Sequence, residues 1–404
     1  MKVYFSGISG TGIGPLAELA QDAGMTVCGS DLLRGAIADE IDERGIPVAY
    51  GPQDGKFLSE QLDGLDWFVY TSALPEDHPE LKLAKEAGIR VSKRDEFIAE
   101  FVKMHNQKMI AVAGTHGKTT TTSMIIWCFH ALGIPASYLV GTTLPWANGG
   151  NFAKDGEYFI YEADEYDRNF LAYHPYLAAI TTVDYDHADI YKTPEEYHAA
   201  FAQFESQSEN VVKNTTIDSR ITLVGELRRQ DASICLAVMK QVCDKSEDEI
   251  IAALNQFPGA GRRFEKLIDN VYSDYGHHPE EIAATIAMAS ELKARDGAQG
   301  VAILYQPHQN SRQHEVRDGY KKAFIGADKV FWLPTYLTRE DPNLAVLSPA
   351  ELISGMENAD IAEPAELNDT LAAKIRQLHQ NGWIILLITA GPADTWFRNC
   401  FLQN

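Results

Sequence analysis

The sequence is poor in cysteine and in positive charge. Its five cysteines, Cys28, Cys128, Cys235, Cys243 and Cys400, are odd in number, and no pair has metal-ligand or redox spacing. That excludes a disulfide scaffold and a structural zinc centre, and makes a reducing cytoplasm the economical setting. Lys plus Arg number 35 against 57 Asp plus Glu, a net charge of -22. Such a balance argues against general nucleic-acid binding and against docking on an acidic membrane surface. Any phosphate must be held by a local pocket rather than by the overall field. No apolar run approaches the roughly eighteen residues of a membrane-spanning helix. The N-terminus opens on an apolar strand, Val3 to Phe5, without the basic start and apolar run of a signal peptide. Short-period repeats and low-complexity tracts are also missing. What remains, 404 residues with 45% hydrophobic and 23% charged side chains, is the composition of a globular protein of two or three domains.

Short apolar runs alternate with amphipathic stretches of helical length, the pattern of βαβ units and parallel sheets covered by helices. The expected architecture is three consecutive α/β domains. The first, 1–105, opens strand, glycine-rich turn, helix. The second, 106–257, starts at the polar break His105-Asn106-Gln107-Lys108 and the strand Met109–Ala113. The third, 258–404, follows Phe257-Pro258-Gly259, with strands near Ala302–Tyr305, Lys329–Leu333 and Ile384–Ile388.

The strand Met109–Ala113 runs into Gly114-Thr115-His116-Gly117-Lys118-Thr119-Thr120 and then a helix-like run, Thr121 to Leu132. Glycines between a buried strand and a helix N-terminus let backbone N–H groups converge on an anion. The lysine supplies a point charge for terminal phosphates, and the following hydroxyl suits Mg²⁺. A nucleoside triphosphate site is expected, although Val112 stands where the general phosphate-loop pattern has its first glycine. Downstream, the strand Tyr158–Tyr161 ends in Glu162-Ala163-Asp164-Glu165-Tyr166-Asp167. A second strand, Leu177–Val183, ends in Asp184-Tyr185-Asp186-His187-Ala188-Asp189. Two strands ending in carboxylates after such a loop suggest Mg²⁺ at the carboxyl edge of a parallel sheet. A third cluster combines Gly261-Arg262-Arg263-Phe264-Glu265, Asp274-Tyr275-Gly276-His277-His278-Pro279 and Gln306-Pro307-His308-Gln309-Asn310-Ser311-Arg312, again at strand ends.

In this order, Gly114-Thr-His-Gly-Lys-Thr-Thr-Thr-Thr122, Glu162-Ala-Asp-Glu165, Asp186-His187, Arg262-Arg-Phe-Glu265, Asp274-Tyr-Gly-His-His-Pro279 and Gln306-Pro-His308 resemble the Mur ligases, ATP-dependent amide ligases of peptidoglycan precursor synthesis. The resemblance covers nearly the whole chain and is strongest to the L-alanine-adding branch. It implies a reaction in which the lactyl carboxylate of UDP-N-acetylmuramate attacks the γ-phosphate of ATP. L-alanine then displaces phosphate from the acyl phosphate. By resemblance, ATP contacts Gly114, Thr115, Gly117, Lys118, Thr119 and Thr120, with Arg263 and Asp274 joining on domain closure. Thr119, Glu162 and His187 hold the metal, and Lys118, Glu162, His187 and His277 are the catalytic set. Tyr275, His277 and Arg312 face the amino acid. The turn Gly7-Ile-Ser-Gly-Thr-Gly-Ile-Gly14, read alone, suggests a dinucleotide site; in this family it holds the UDP-sugar, here through Gly10, Gly12, Ser30, Asp31 and Ser72. The implied partners are small molecules, with no nucleic acid or membrane, and the protein is a cytoplasmic monomer or homodimer.

The sequence also departs from the family. A Gly-x-His-Asn-x-x-Asn helix that contacts adenine is replaced by Gly225-Glu-Leu-Arg-Arg-Gln-Asp231, and only 215–224 precedes it where relatives carry several strands. Ser273, Gln309 and His314 replace an aspartate and two arginines. Glu165-Tyr166-Asp167 and Asp186-His-Ala-Asp-Ile-Tyr191 are nearer to the murein tripeptide ligase of cell-wall recycling. Two rival readings stay open: that recycling ligase, and a sugar-nucleotide-binding homologue that has lost catalysis. A nicotinamide oxidoreductase leaves the phosphate loop unexplained.

Overall fold

The computed structural model describes residues 1–35, 37–71, 74–187, 190–338 and 340–402. Ser72, Ala188 and Asp189 fall outside them. Three mainly parallel sheets account for the chain, as the alternation of apolar and amphipathic runs leads one to expect. The first runs Val48–Tyr50, Thr26–Asp31, Lys2–Ser6, Trp67–Tyr70, Arg90–Lys93 from edge to edge, all parallel. The second runs Asn210–Val212, Leu177–Ile180, Lys108–Ala113, Tyr158–Glu162, Ala136–Leu139, Gly150–Asn151, antiparallel only at the last pair. The third runs Glu265–Ile268, Val271–Asp274, Ile384–Thr389, Val301–Gln306, Lys329–Trp332, Ala362–Pro364, antiparallel only at the first pair.

The chain forms two compact units: 1–221 with 230–257, and 222–229 with 258–404. In the first unit, two sheets share one apolar core. Val3, Phe5, Phe97 and Phe101 from the first sheet and its last helix are buried in one cluster with Met109, Phe159, Tyr161, Phe170 and Tyr173 of the second. Phe101 meets Phe152 edge to face at 5.8 Å, and the Tyr173 hydroxyl donates to the buried Asp95 at 2.8 Å. Burial of large aromatic side chains is the main favourable term in such a junction. In the second unit, apolar clusters cover both faces of the third sheet, as its continuous apolar strands Val301–Tyr305 and Ile384–Ile388 require.

The helix Glu226–Val242 spans the division between units. Gly225 and Arg229 bind Glu291 within the second unit, while Ile234, Cys235, Val238 and Met239 are buried within the first. All five cysteines are free, but Cys128 and Cys235 are buried with their sulfurs 3.8 Å apart. The strand expected over Leu177–Val183 ends at Ile180; beyond it Thr181 N–H still donates to Ala113 O, and Thr181 and Thr182 hold the loop that follows Ala113. Between strand Asn210–Val212 and the helix at Glu226 there is no further strand.

Candidate active site

The phosphate loop joins strand Lys108–Ala113 to helix Lys118–Ala131. Gly114 has φ 143°, and a Cβ there would stand 2.0 Å from Thr181 Oγ1, so only glycine lets the loop pass. The end of the neighbouring strand fastens the loop. Thr115 N–H donates to Thr182 O at 2.8 Å, His116 N–H to Thr182 Oγ1 at 3.1 Å, and Thr181 Oγ1 donates to His116 O at 2.5 Å. Thr115 Oγ1 lies 2.7 Å from Asp184 O and 2.9 Å from the Tyr197 hydroxyl. Gly117, at φ 81°, begins the helix; a Cβ there would lie 2.5 Å from Asp231 Oδ1. Thr120 sits in the first turn, half-buried, beside Lys118 and Thr119.

Lys118 Nζ donates to Gly114 O at 2.6 Å, Thr115 O at 3.2 Å and Glu165 Oε1 at 2.8 Å. Glu165 is fully buried, and His187 Nε2 lies 3.4 Å from the same oxygen. Burial pushes the Glu165 carboxyl up, but the His187 hydrogen bond and the Lys118 charge bring it below the usual glutamate range. The hydrogen bond to Glu165 raises His187 above its ordinary value against the effect of burial, with Asp186 adding to the rise. Thr119 Oγ1 donates to Glu162 Oε1 at 2.7 Å, and Gly141 N–H to Glu162 Oε2 at 3.3 Å.

The three expected metal ligands therefore divide. Thr119 and Glu162 converge, two hard oxygen donors that fit Mg²⁺, which completes its shell with water and phosphate oxygens. His187 Nε2 lies 3.4 Å from Glu165 Oε1, apart from that pair. Among the described residues no group of three or more His, Cys, Asp or Glu is gathered for a metal ion.

At the first glycine turn, Gly7 and Ile8 N–H both donate to Ser30 O, and Ser9 donates to Asp31 Oδ2 through N–H at 2.9 Å and Oγ at 2.8 Å. Asp31 is half-buried there. Ser30 is buried, with its hydroxyl on Glu80 Oε2 at 2.8 Å beside Ser6, Tyr4 and Gln53, so it serves an internal network. Gly10 accepts N–H bonds from Ile13 and Gly14, and Gly12 lies against Arg94. The fifth residue expected for the UDP-sugar, Ser72, lies outside the described residues.

In the second unit, Asp274 is buried with Oδ2 accepting Phe264 N–H and Oδ1 accepting Gly276 N–H, both at 2.8 Å; burial raises its pKa, with Arg263 opposing. Arg263 lies over the Tyr275 ring at 5.5 Å. His277 is lowered by burial, with Glu281 opposing and the Arg312 charge adding to the fall, and its ring is 6.4 Å from that of His308. The Tyr275 and His277 rings are 5.6 Å apart after strand Val271–Asp274, and the Arg312 charge reaches His277 from the helix after strand Val301–Gln306. Ser273 donates to the buried Asp394 at 2.5 Å, which gives that replacement an internal partner. His314 lies 2.9 Å from Ala345 O, and Gln309 adopts φ 61° with its N–H on Tyr336 O. Leu227, in the altered helix, is exposed, and Arg228 lies over Phe264.

Sequence reasoning left out Glu165 as the partner of Lys118 and His187, the clamp Thr181–Thr182, Tyr197 and Asp231. Glu165 lay within a run singled out for its carboxylates, and Thr181-Thr182 immediately preceded another; both were visible as neighbours of known signals.

Two family profiles match the chain: "Mur ligase family, catalytic domain" over residues 2–106 and "Mur ligase middle domain" over 112–237. UDP-N-acetylmuramate–L-alanine ligase of Fusobacterium nucleatum is 32% identical, covering 84% of this chain and 84% of its own. The enzyme of that name from Symbiobacterium thermophilum is 30% identical over 98% and 92%; that alignment spans 461 positions, more than the 404 residues here, so the relative carries added segments. Among solved structures, the UDP-N-acetylmuramate-alanine ligase of Thermotoga maritima matches with a TM-score of 0.74 at 20% identity, covering 99% of this chain and 98% of its own. A murein peptide ligase of Psychrobacter arcticus matches at 0.58 and 21%, covering 100% and 98%. These likenesses share the three-sheet α/β fold, and with the sequence relatives they establish that the chain belongs to the Mur ligase family.

Proposed function

We propose that the protein is an ATP-dependent ligase joining L-alanine to the lactyl carboxylate of UDP-N-acetylmuramate. The observation that carries the reading is the convergence of Lys118, Thr119 and Glu162 at a glycine loop between a buried strand and a helix N-terminus. The carboxylate oxygen attacks the γ-phosphorus of ATP and ADP leaves. The amine then attacks the acyl carbon, and phosphate leaves as the amide forms and the nitrogen loses its proton. Negative charge develops on phosphoryl oxygens in the first step and on the acyl oxygen in the second, so fixed cations supply much of the rate. In this reading Lys118 leaves Glu165 for the β- and γ-phosphates, and the loop N–H groups from Gly114 to Thr120 cradle them. Thr119 and Glu162 would hold Mg²⁺, which neutralises phosphate charge when bound.

His187, whose ring lies beside Glu165, would hold a second metal ion or help to orient the acyl phosphate through it. Arg263 and Asp274 serve the nucleotide side of the second unit. Tyr275 and Arg312 hold the incoming amino acid, with the guanidinium suited to its carboxylate. His277, kept neutral by burial, can accept the amine's proton. Gly10, Gly12, Ser30, Asp31 and Ser72 serve the UDP-sugar, Ser30 through the network that shapes the turn. We take 1–105, 106–257 and 258–404 as the domains of a cytoplasmic monomer or homodimer.

The test offers purified protein ATP, Mg²⁺ and UDP-N-acetylmuramate with L-alanine, glycine, L-serine or the murein tripeptide, and reads the product by mass spectrometry. L-alanine addition is expected. Product with the tripeptide alone would move the chain to the recycling branch. No product despite bound sugar nucleotide would leave a binding protein.

A further inference from the structure

The helix Arg94–Met104 opens on an arginine at the junction of the first two sheets. Its Nε and Nη2 donate to Asp95 Oδ1 at 3.1 and 3.0 Å. The same oxygen accepts the Tyr173 hydroxyl at 2.8 Å and the Tyr161 hydroxyl at 3.4 Å. One edge of the guanidinium fork is fixed by that network. Nη1 takes no part in it and stands at the glycine-rich turn, 3.2 Å from where a Cβ on Gly12 would be. Among the described residues Asp95 is the only ion-pair partner of Arg94, and its carboxylate is shared with two phenols. The arginine side chain keeps 26% of its surface, so it is held without being sealed off.

We propose that Nη1 of Arg94 binds the diphosphate of the sugar nucleotide over the Gly10–Gly12 turn. The inference rests on the ligase reading above. Backbone N–H groups offer a diphosphate partial charges only, and a chain of net charge -22 repels it at long range. The Nη1 edge of the guanidinium, left over from the Asp95 pair, gives the turn a strong charge-assisted donor for phosphate oxygens. Gly12 keeps the approach open, since a side chain there would press on Nη1. The competing oxyanion on the same substrate is the lactyl carboxylate.

Calorimetric titration of wild type, R94M, R94K and R94Q with UDP, uridine, UDP-N-acetylmuramate and a non-hydrolysable ATP analogue separates the cases. In R94M, UDP and UDP-N-acetylmuramate should both weaken at least about tenfold, and uridine and the ATP analogue should stay within about twofold. R94K should recover part of the loss. If R94M does not fold, R94Q is held to the same expectation. UDP affinity close to wild type would overturn the inference. Equal losses for uridine or the ATP analogue would do the same, marking a structural role through Asp95. A loss confined to UDP-N-acetylmuramate would overturn the diphosphate assignment in favour of the carboxylate. Wild type that binds no UDP at all would overturn the ligase reading itself, and this inference with it.

Discussion

Lys118 Nζ lies 2.8 Å from the carboxylate of Glu165, a side chain with no exposed surface. The lysine is therefore held by a buried anion, and in the proposed reaction nucleotide would draw it away from that partner. Lys118→Ala removes the charge proposed to meet the phosphates and takes the nearest cation from Glu165. We expect ATP-dependent phosphate release to vanish and the melting temperature to fall, the limit being the roughly 3–5 kcal/mol of an uncompensated buried charge. A phosphate-release assay with a thermal melt reads both; near-native turnover would sink the assignment of Lys118.

Glu162→Gln keeps the shape of the Thr119 contact while removing the negative charge that suits a divalent cation. The Mg²⁺ concentration for half-maximal turnover should rise by about 10–100-fold, the range seen when a metal site loses one of its supporting groups. Titrating Mg²⁺ at saturating ATP measures it, and an unchanged midpoint would exclude Glu162 as a ligand.

The pair His187–Glu165 gives a pH signature with a definite sign. His187 is raised in the folded protein, so its contribution to stability is full below the ordinary histidine value and is lost as pH rises through the raised one. Glu165 is lowered, so its contribution is present above the ordinary glutamate value and is lost as pH falls through the lowered one. Lys118 and Asp186 also face this pair. Melting temperatures of wild type and His187→Gln across near-neutral to mildly alkaline pH should converge as pH rises. A constant gap would remove the ion pair from the account.

Gly114→Ala places a Cβ 2.0 Å from Thr181 Oγ1 at a backbone φ of 143°. Unfolding by denaturant should show a loss of about 1–3 kcal/mol, the cost of a strained backbone conformation, with nucleotide affinity reduced. Gly114→Ala with wild-type stability and wild-type ATP binding would show that the loop can rearrange.

Much of this was readable in advance, and the limit has a physical cause. Lys118, Thr119 and the helix they open were legible because loop chemistry is local: glycine, cation and hydroxyl at fixed offsets after an apolar strand. The strands around Tyr158, Ala302 and Ile384 were legible from short apolar runs. Contacts that join distant segments were not. The grip of Thr181 and Thr182 on the loop depends on which strand lies beside Lys108–Ala113. The approach of Asp231 to Gly117 depends on how a helix over a hundred residues later packs. The approach of His187 to Glu165, 22 positions earlier, likewise depends on which strand ends the fold sets side by side.

The apolar cluster that runs from Val3 and Phe97 to Phe159 and Tyr173 bears on how this protein can be taken apart. A fragment ending near residue 105 would expose Phe97 and Phe101 to water and strand Asp95 without its phenols, so it should aggregate rather than fold. Exchange of the first sheet and its helices with those of another family member must carry the matching face of the second sheet. The first two sheets are thus expected to fold as one piece, whereas the third sheet has two cores of its own.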